Sequence, residues 1–471
     1  MKLLLSLLAS VFFILMIRSL SGHVESASSK YELTYLPLCN GRMTSKQYTG
    51  FVDIPTGQQP AKKLFYWFVT SKRNPAKDPV VLWLTGGPGC SGLLALMTEN
   101  GPFLFTPSGN SIIENPHSWN QQANIIYLEQ PYGVGFSTAN PVNSTNYPSG
   151  DNETATDNLR FLIGFFTELF PEFSSNPFFV SGESYGGNYV PLLAREILKY
   201  NTNSQKKISF KGLSVGNPTM DNDLDANAYF PFMFHHALVG SEEFDLYQKQ
   251  CPNFNTPSAQ CQNIINDIRN NIGPINPYNI YADCIGKPSV GGACFTHQLA
   301  LQAGKKVVRR VSDSQTYIPC MNVTGISNYF NRRDVQLAVH GISASENTKF
   351  WDVCSTVLQY NDMVNSMIPI YQEIYQYDPN FYTLIYSGDV DSCCPYPSTE
   401  RAVQKFGFPL TIPYHPYFIN KQVVGYIKGY NPSRNMFFAT VKNAGHMVPT
   451  YQPEVAILLF NSFLNGQLAN L

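Results

Sequence analysis

"FVSGESYGGNYV", residues 179–190, decides how this chain folds. The run "PFFVSG" (177–182) has strand character and ends at Gly182, while "NYVPLLAREILKY" (188–200) carries apolar residues at helical spacing. Ser184 therefore stands on a turn between a strand and a helix, with Gly182 and Gly186 two residues to either side. Glycines there permit a strained turn and close packing, which pushes a serine hydroxyl out of the sheet edge as a nucleophile. A Gly-flanked serine alone is a weak signal, because many are plain turns. Glu183 raises a second question: a negative charge beside a nucleophile needs a reason.

Outward from this stretch the chain alternates strand and helix signals. "KLFYWFVTS" (63–71), "PVVLWLTGG" (79–87), "NIIYLEQP" (124–131), "ISFKGLSVGN" (208–217), "FYTLIYSG" (381–388) and "MFFATVKN" (436–443) read as strands, several of them as apolar runs suited to a buried sheet. "ATDNLRFLIGFFTELF" (154–170) and "PEVAILLFNSFL" (453–464) read as helices. Between about 219 and 325 the alternation lapses, and "NAYFPFMFHHALVG" is the one clearly helical piece. The expected fold class is α/β, a mostly parallel mixed sheet flanked by helices. Residues 30–218 and 326–471 form its core, and 219–325 an inserted cap.

A nucleophilic serine needs a base and an acid, which follow it in the order Ser…Asp…His when the serine sits on such a turn. "LIYSGDVDSCCP" offers two acids just past a strand, Asp389 and Asp391. "VKNAGHMVPT" offers His446 in a Gly-preceded loop after "MFFATV". Of the eight histidines, the other seven lack that setting. The backbone N–H of Tyr185, the residue after the nucleophile, is the expected first donor to an oxyanion.

The N-terminus reads as a secretory signal over residues 1–22: Lys2, an apolar run from Leu3 to Ile17, then small and polar residues, with cleavage expected between residues 19 and 29. Ten cysteines then indicate a disulfide set formed in an oxidising compartment, and Asn143, Asn152 and Asn322 head N-x-S/T sequons. A net charge of −1 gives no reason to expect nucleic acid or an anionic membrane surface. Cysteine and histidine spacings do not suit zinc, and the Gly-rich loops lack a P-loop lysine, so neither metal nor cofactor is expected.

"WLTGGPGCSG", "YLEQPYGVGFS", "GESYGGNYVP", "YSGDVDS" and "NAGHMVP", in that order, resemble the serine carboxypeptidases, the animal lysosomal branch most closely. The resemblance runs from "LPLCNGRMTSKQYTGFVDI" to the final helix. It implies an α/β-hydrolase fold with an inserted cap and removal of C-terminal residues from peptides and proteins at acidic pH. It selects Asp391 over Asp389 and makes Gly87 the second oxyanion donor. It pairs Glu99 with Glu183 as a proton-sharing grip on the substrate's terminal carboxylate, with Gly86 and Thr85 beside them. The family has asparagine where this chain has Thr85. Two carboxyls held close do not easily both ionise, which answers the question Glu183 raised. Cys90 with Cys354, Cys251 with Cys261, and Cys284 with Cys320 are the bridges the resemblance implies, leaving Cys39, Cys294, Cys393 and Cys394 unassigned. Trp83, Tyr132 and Met447 are candidate pocket residues. Expected partners are peptide or protein C-termini, with no membrane after signal removal; the chain is a monomer or homodimer, secreted or lysosomal. An acyltransferase or esterase of the same fold, or a stabilising partner of lysosomal enzymes, are the alternatives.

Overall fold

A strand with no polar face needs cover on both sides, and the apolar runs of this chain find it at the centre of a large sheet. The computed structural model describes residues 31–39, 43–55, 61–106, 111–140, 147–252, 257–285, 320–433 and 435–471. The signal segment 1–22, Asn143 and Cys294 lie outside the described residues. The principal strands are β1 (Gln47–Ile54), β2 (Ala61–Val69), β3 (Val80–Leu84), β4 (Asn124–Leu128), β5 (Phe178–Glu183), β6 (Phe210–Gly216), β7 (Tyr382–Gly388), β8 (Leu410–Ile419), β9 (Gln422–Tyr430) and β10 (Met436–Val441). They pair in the order β1-β2-β4-β3-β5-β6-β7-β10-β9-β8, with a short strand, Thr138–Asn140, beside β2. From β4 to β10 neighbours run parallel; the two outer pairs at each edge are antiparallel.

The period-2 geometry of a strand sorts its side chains between two cores. Leu64, Tyr66 and Phe68 of β2 and Val80, Leu82 and Leu84 of β3 enter one core, which the helices α2 (Asp151–Gly164), α3 (Gly186–Asn203) and α7 (Ile368–Tyr377) cover. Phe65, Trp67, Val69, Val81 and Trp83 enter the other, covered by α1 (Gly92–Thr98) and α9 (Pro453–Leu464). This is the α/β arrangement expected.

Residues 222–272 hold three helices where the sequence suggested one: α4 (Asn222–His235), α5 (Ser241–Gln250) and α6 (Ala259–Ile272). They build a third core around Tyr229, Phe230, Phe244, Tyr247, Ile264 and Ile265. Val390, in the loop after β7, joins that core, so these helices pack against the loop that carries the candidate acids. Helix α8 (Tyr396–Lys405) follows that loop.

Three bridges close the fold: Cys90–Cys354, Cys251–Cys261 and Cys284–Cys320. Cys393 is also disulfide-bonded, and Cys394 is a buried free thiol. Cys90–Cys354 links positions 264 residues apart, so it removes much freedom from the unfolded chain. Replacing both cysteines by alanine is expected to lower the unfolding free energy by about 2–5 kcal/mol, seen as an earlier urea midpoint. An unchanged midpoint would contradict this.

Candidate active site

Five neighbouring parallel strands, β3, β5, β6, β7 and β10, deliver the site, each at its carboxyl end, where open α/β sheets place their functional loops. Ser184 follows β5 with φ +63°, a left-handed conformation costly for a residue with a side chain. The turn is seated against β3: a Cβ on Gly182 would lie 2.6 Å from the Leu84 carbonyl oxygen, and one on Gly186 2.8 Å from it. The Ser184 N–H donates to the Gly216 carbonyl at the end of β6, and its own carbonyl accepts from Gly187 and Thr219.

Asp391 follows β7 and is fully buried. Its Oδ2 accepts from His446 Nδ1 at 2.7 Å and from Asn217 Nδ2 at 2.8 Å; its Oδ1 accepts from the Cys393 N–H at 2.8 Å. A carboxylate only accepts, so His446 carries its hydrogen on Nδ1 and leaves Nε2 as the acceptor. The His446 N–H is bonded to the Tyr278 carbonyl, and the Tyr278 ring packs 5.1 Å from the imidazole. Asp389, the other candidate, instead accepts from the Asn443 N–H at 2.7 Å. The acid that reaches the imidazole is Asp391. Among the described residues no hydrogen bond joins Ser184 Oγ to His446; such bonds commonly tighten only when substrate binds.

Asn217, just past β6, was not singled out in the sequence. Its amide clasps two strands, donating to Asp391 while its Oδ1 accepts from the Gly388 N–H at 3.0 Å. A polar residue at the carboxyl end of the strand beside the elbow was the available signal.

The loop after β3 lies directly on the elbow. A Cβ on Gly86 would fall 2.4 Å from the Tyr185 backbone nitrogen and 2.8 Å from Ser184 Cβ, so only glycine fits there. Gly87 has φ +118°, and a Cβ on it would strike Cys90. Among the described residues the Gly87 N–H donates to no backbone acceptor.

Glu99 and Glu183 are both buried and meet side chain to side chain. Burial raises Glu99 to about 7, against the bond from Glu183 and the nearby His446. Burial and the Glu99 charge raise Glu183 well above the carboxylate range, so Glu183 is the member that keeps the proton. Thr85 is buried, and its hydroxyl accepts from Trp83 Nε1 at 2.9 Å. Trp83 stacks edge-on against Trp119 within the core. Tyr132, expected in a pocket, packs instead into the core beneath α2: its hydroxyl donates to the Pro148 carbonyl and Lys62 lies over its ring. An aromatic flanked by glycines is as useful for core packing as for a pocket wall. Met447 does border a cavity of about 780 Å³, together with Thr98, Phe105, Tyr329, Thr450 and Tyr451. Asn152 and Asn322 are exposed.

A family model described as serine carboxypeptidase matches residues 37–466. The chain belongs to the serine carboxypeptidase family. It is 35% identical over 478 residues to serine carboxypeptidase-like 20 of Arabidopsis thaliana, covering 94% of each chain. It is 33% identical to serine carboxypeptidase 1 of Hordeum vulgare (92% of each chain), and 32% identical to the lysosomal protective protein of Mus musculus (97% of this chain and 98% of that one). These identities do not separate an animal branch from a plant one. A prohormone-processing carboxypeptidase from Saccharomyces cerevisiae shares the fold, with a TM-score of 0.73 at 20% identity, covering 94% of this chain and 97% of that one. The chain is thus a serine carboxypeptidase-type hydrolase with an α/β-hydrolase fold.

Two predictions follow from the buried polar groups. Asn217→Ala strips a donor from Asp391 and an acceptor from Gly388; a loss of about 2–4 kcal/mol in unfolding free energy is expected, and a loss below the error of a denaturant titration would refute the clasp. The carboxyl pair makes stability depend on pH. Both folded pKa values lie above the ordinary glutamate value of 4.5, so the pair's contribution is full below about pH 4.5 and declines as pH rises through about 7. Glu183→Gln, which cannot ionise, is expected to flatten that decline in thermal midpoint between pH 5 and 8; an unaltered slope would count against it.

Proposed function

We propose that this protein removes C-terminal residues from peptides by acyl-enzyme catalysis, with Ser184 as nucleophile, His446 as base and Asp391 as the group that orients the imidazole. His446 Nε2 takes the Ser184 proton as Oγ attacks the scissile carbonyl, then delivers it to the leaving amine. Asp391, held by three further donors, keeps the Nδ1–H tautomer and stabilises the imidazolium. The backbone N–H groups of Gly87 and Tyr185 receive the charge on the carbonyl oxygen. Water then cleaves the ester by the same proton route in reverse.

The observation that carries the exopeptidase reading is the buried Glu99–Glu183 pair within the electrostatic reach of His446 and Asp391. A protonated Glu183 donates to a terminal carboxylate where an ionised one would repel it, and Gly86 lies beside it. Grip on the free carboxylate therefore weakens as the pair loses its proton, which gives an acidic working range. Within the expected cap, the described helices α4, α5 and α6 cover the loop after β7 at this edge. The N-terminal signal pattern and the bridges support a secretory route, to the exterior or the lysosome.

A second reading rests on Thr85. Its hydroxyl is tied to Trp83 and is shorter than the amide the family carries, so it offers at most one hydrogen to a carboxylate. A weaker grip favours acyl transfer or ester hydrolysis relative to peptide cleavage.

Ser184→Ala is expected to lower kcat on peptides by ~10⁶; residual activity within a hundredfold of wild type would rule out Ser184 as the nucleophile. The carboxylate grip is checked by the ratio of kcat/KM for a free-ended peptide to that for its C-terminally blocked ester from pH 5 to pH 8. The triad serves both substrates alike, so a ratio that falls with pH reports the carboxyl pair. A flat ratio contradicts its role.

A further inference from the structure

One buried carboxylate takes no part in the chemistry above. Glu129, just past β4, is fully buried, yet three hydrogen-bond donors from three chain segments converge on it. Its Oε1 accepts from Ser91 Oγ at 2.5 Å and from Trp351 Nε1 at 2.8 Å; its Oε2 accepts from the Phe136 N–H at 2.6 Å. The turn at residues 133–137 wraps the carboxylate so closely that a Cβ on Gly135 would lie 1.9 Å from Oε1. Burial pushes the Glu129 pKa up to about 7 while the three donors pull it down.

What these donors belong to gives the carboxylate its meaning. Ser91 ends the loop 86–91 and caps helix α1, its Oγ accepting from the Leu93 N–H at 3.0 Å. The Ser91 hydroxyl thus donates to Glu129 while it accepts from the helix, which uses both of its roles. The same loop is tied to residues 351–355 by Ser91 N–H to Val353 carbonyl, Ser355 N–H to Gly89 carbonyl, and the Cys90–Cys354 bridge. Trp351 opens that segment, and Ser355 Oγ donates to the Gly133 carbonyl of the wrapping turn. Among the described residues, Glu129 is the one side chain that bonds the loop, the 351–355 segment and the 133–137 turn together.

We propose that Glu129 is a positioning residue for the oxyanion loop: through Ser91 and Trp351 it sets the depth of the 86–91 turn, and so the aim of the Gly87 N–H. This rests on the reading of Gly87 as an oxyanion donor. Glu129 touches no reacting atom. Its effect belongs to the transition state, because only there does the carbonyl oxygen gain the charge that a well-aimed N–H stabilises.

Glu129→Gln keeps the volume but turns an NH₂ toward one of the three donors, so one bond becomes a repulsion. The expected result is a loss of about 10–100-fold in kcat on peptide and ester alike, with KM changed less than threefold, since misaligning a donor costs less than deleting one. The inhibition constant of a peptidyl boronic acid, which mimics the tetrahedral species, should rise by the same factor. Affinity for a product N-acyl amino acid should not move. Ser91→Ala removes one of the same bonds and serves if Glu129→Gln does not fold; in the double variant the two losses should fall well short of multiplying. A folded variant with wild-type kcat and boronate affinity overturns the proposal. So does a variant in which boronate and product affinities fall together, the mark of a general distortion. Failure of the underlying reading shows differently: in the wild-type complex with the boronic acid, no boronate oxygen would then lie within hydrogen-bond distance of the Gly87 N–H.

Discussion

The Leu84 carbonyl oxygen lies where a Cβ on either Gly182 or Gly186 would come within 2.8 Å of it. That contact seats the strand–turn–helix carrying Ser184 on the end of β3, and with Gly86 it leaves no room for side chains between the elbow and the next loop. From this the rest of the edge follows. The β3 loop must carry glycine at 86, the serine must accept a left-handed backbone, and β6, β7 and β10 must end level with it to place Asn217, Asp391 and His446. The strain at Ser184 persists because hydrogen bonds from β6 and the 217–219 turn hold it on both sides.

The buried acids at this edge obey one rule and reach opposite ends of it. Burial penalises charge in each, and the hydrogen-bond donors supplied offset that penalty to different degrees. Asp391 has His446, Asn217 and two backbone N–H groups, an environment built for a carboxylate. Glu129 has three donors. Glu99 and Glu183 have chiefly each other, and Glu99 Oε2 meets no N–H or hydroxyl donor among the described residues. A shared proton is what satisfies them. The site thus sets a carboxyl with four donors behind the imidazole and a proton-sharing acid pair close to it.

Much of this edge could be read from the chain because its determinants are local. The elbow is announced by a strand run, two glycines and a helix within a dozen residues, and the central strands by apolar runs. The choice between Asp389 and Asp391 was not local: both follow the same strand, and only the partner loops separate them, Asn443 taking one and His446 the other. The Asn217–Asp391 and Glu129–Trp351 bonds are hidden for the same reason, since they join positions 174 and 222 residues apart. Helix α5 escaped notice because "SEEFDLYQKQ" buries only Phe244 and Tyr247, too few to show a period. Strand β8 is largely exposed along its length and interrupted by Pro413 and Pro416, which suits an edge and hides the alternation. Tyr132 was misplaced because an aromatic's composition does not say which side of a sheet it faces.

The arrangement is tested most directly by the structure of the Ser184→Ala protein with an uncleaved, free-ended peptide at acidic pH. The account predicts the terminal carboxylate against Glu183 and Glu99, and the scissile carbonyl oxygen within hydrogen-bond distance of the Gly87 and Tyr185 N–H groups. A peptide bound with its terminal carboxylate in solvent, or with its chain running past the glutamate pair, would contradict it.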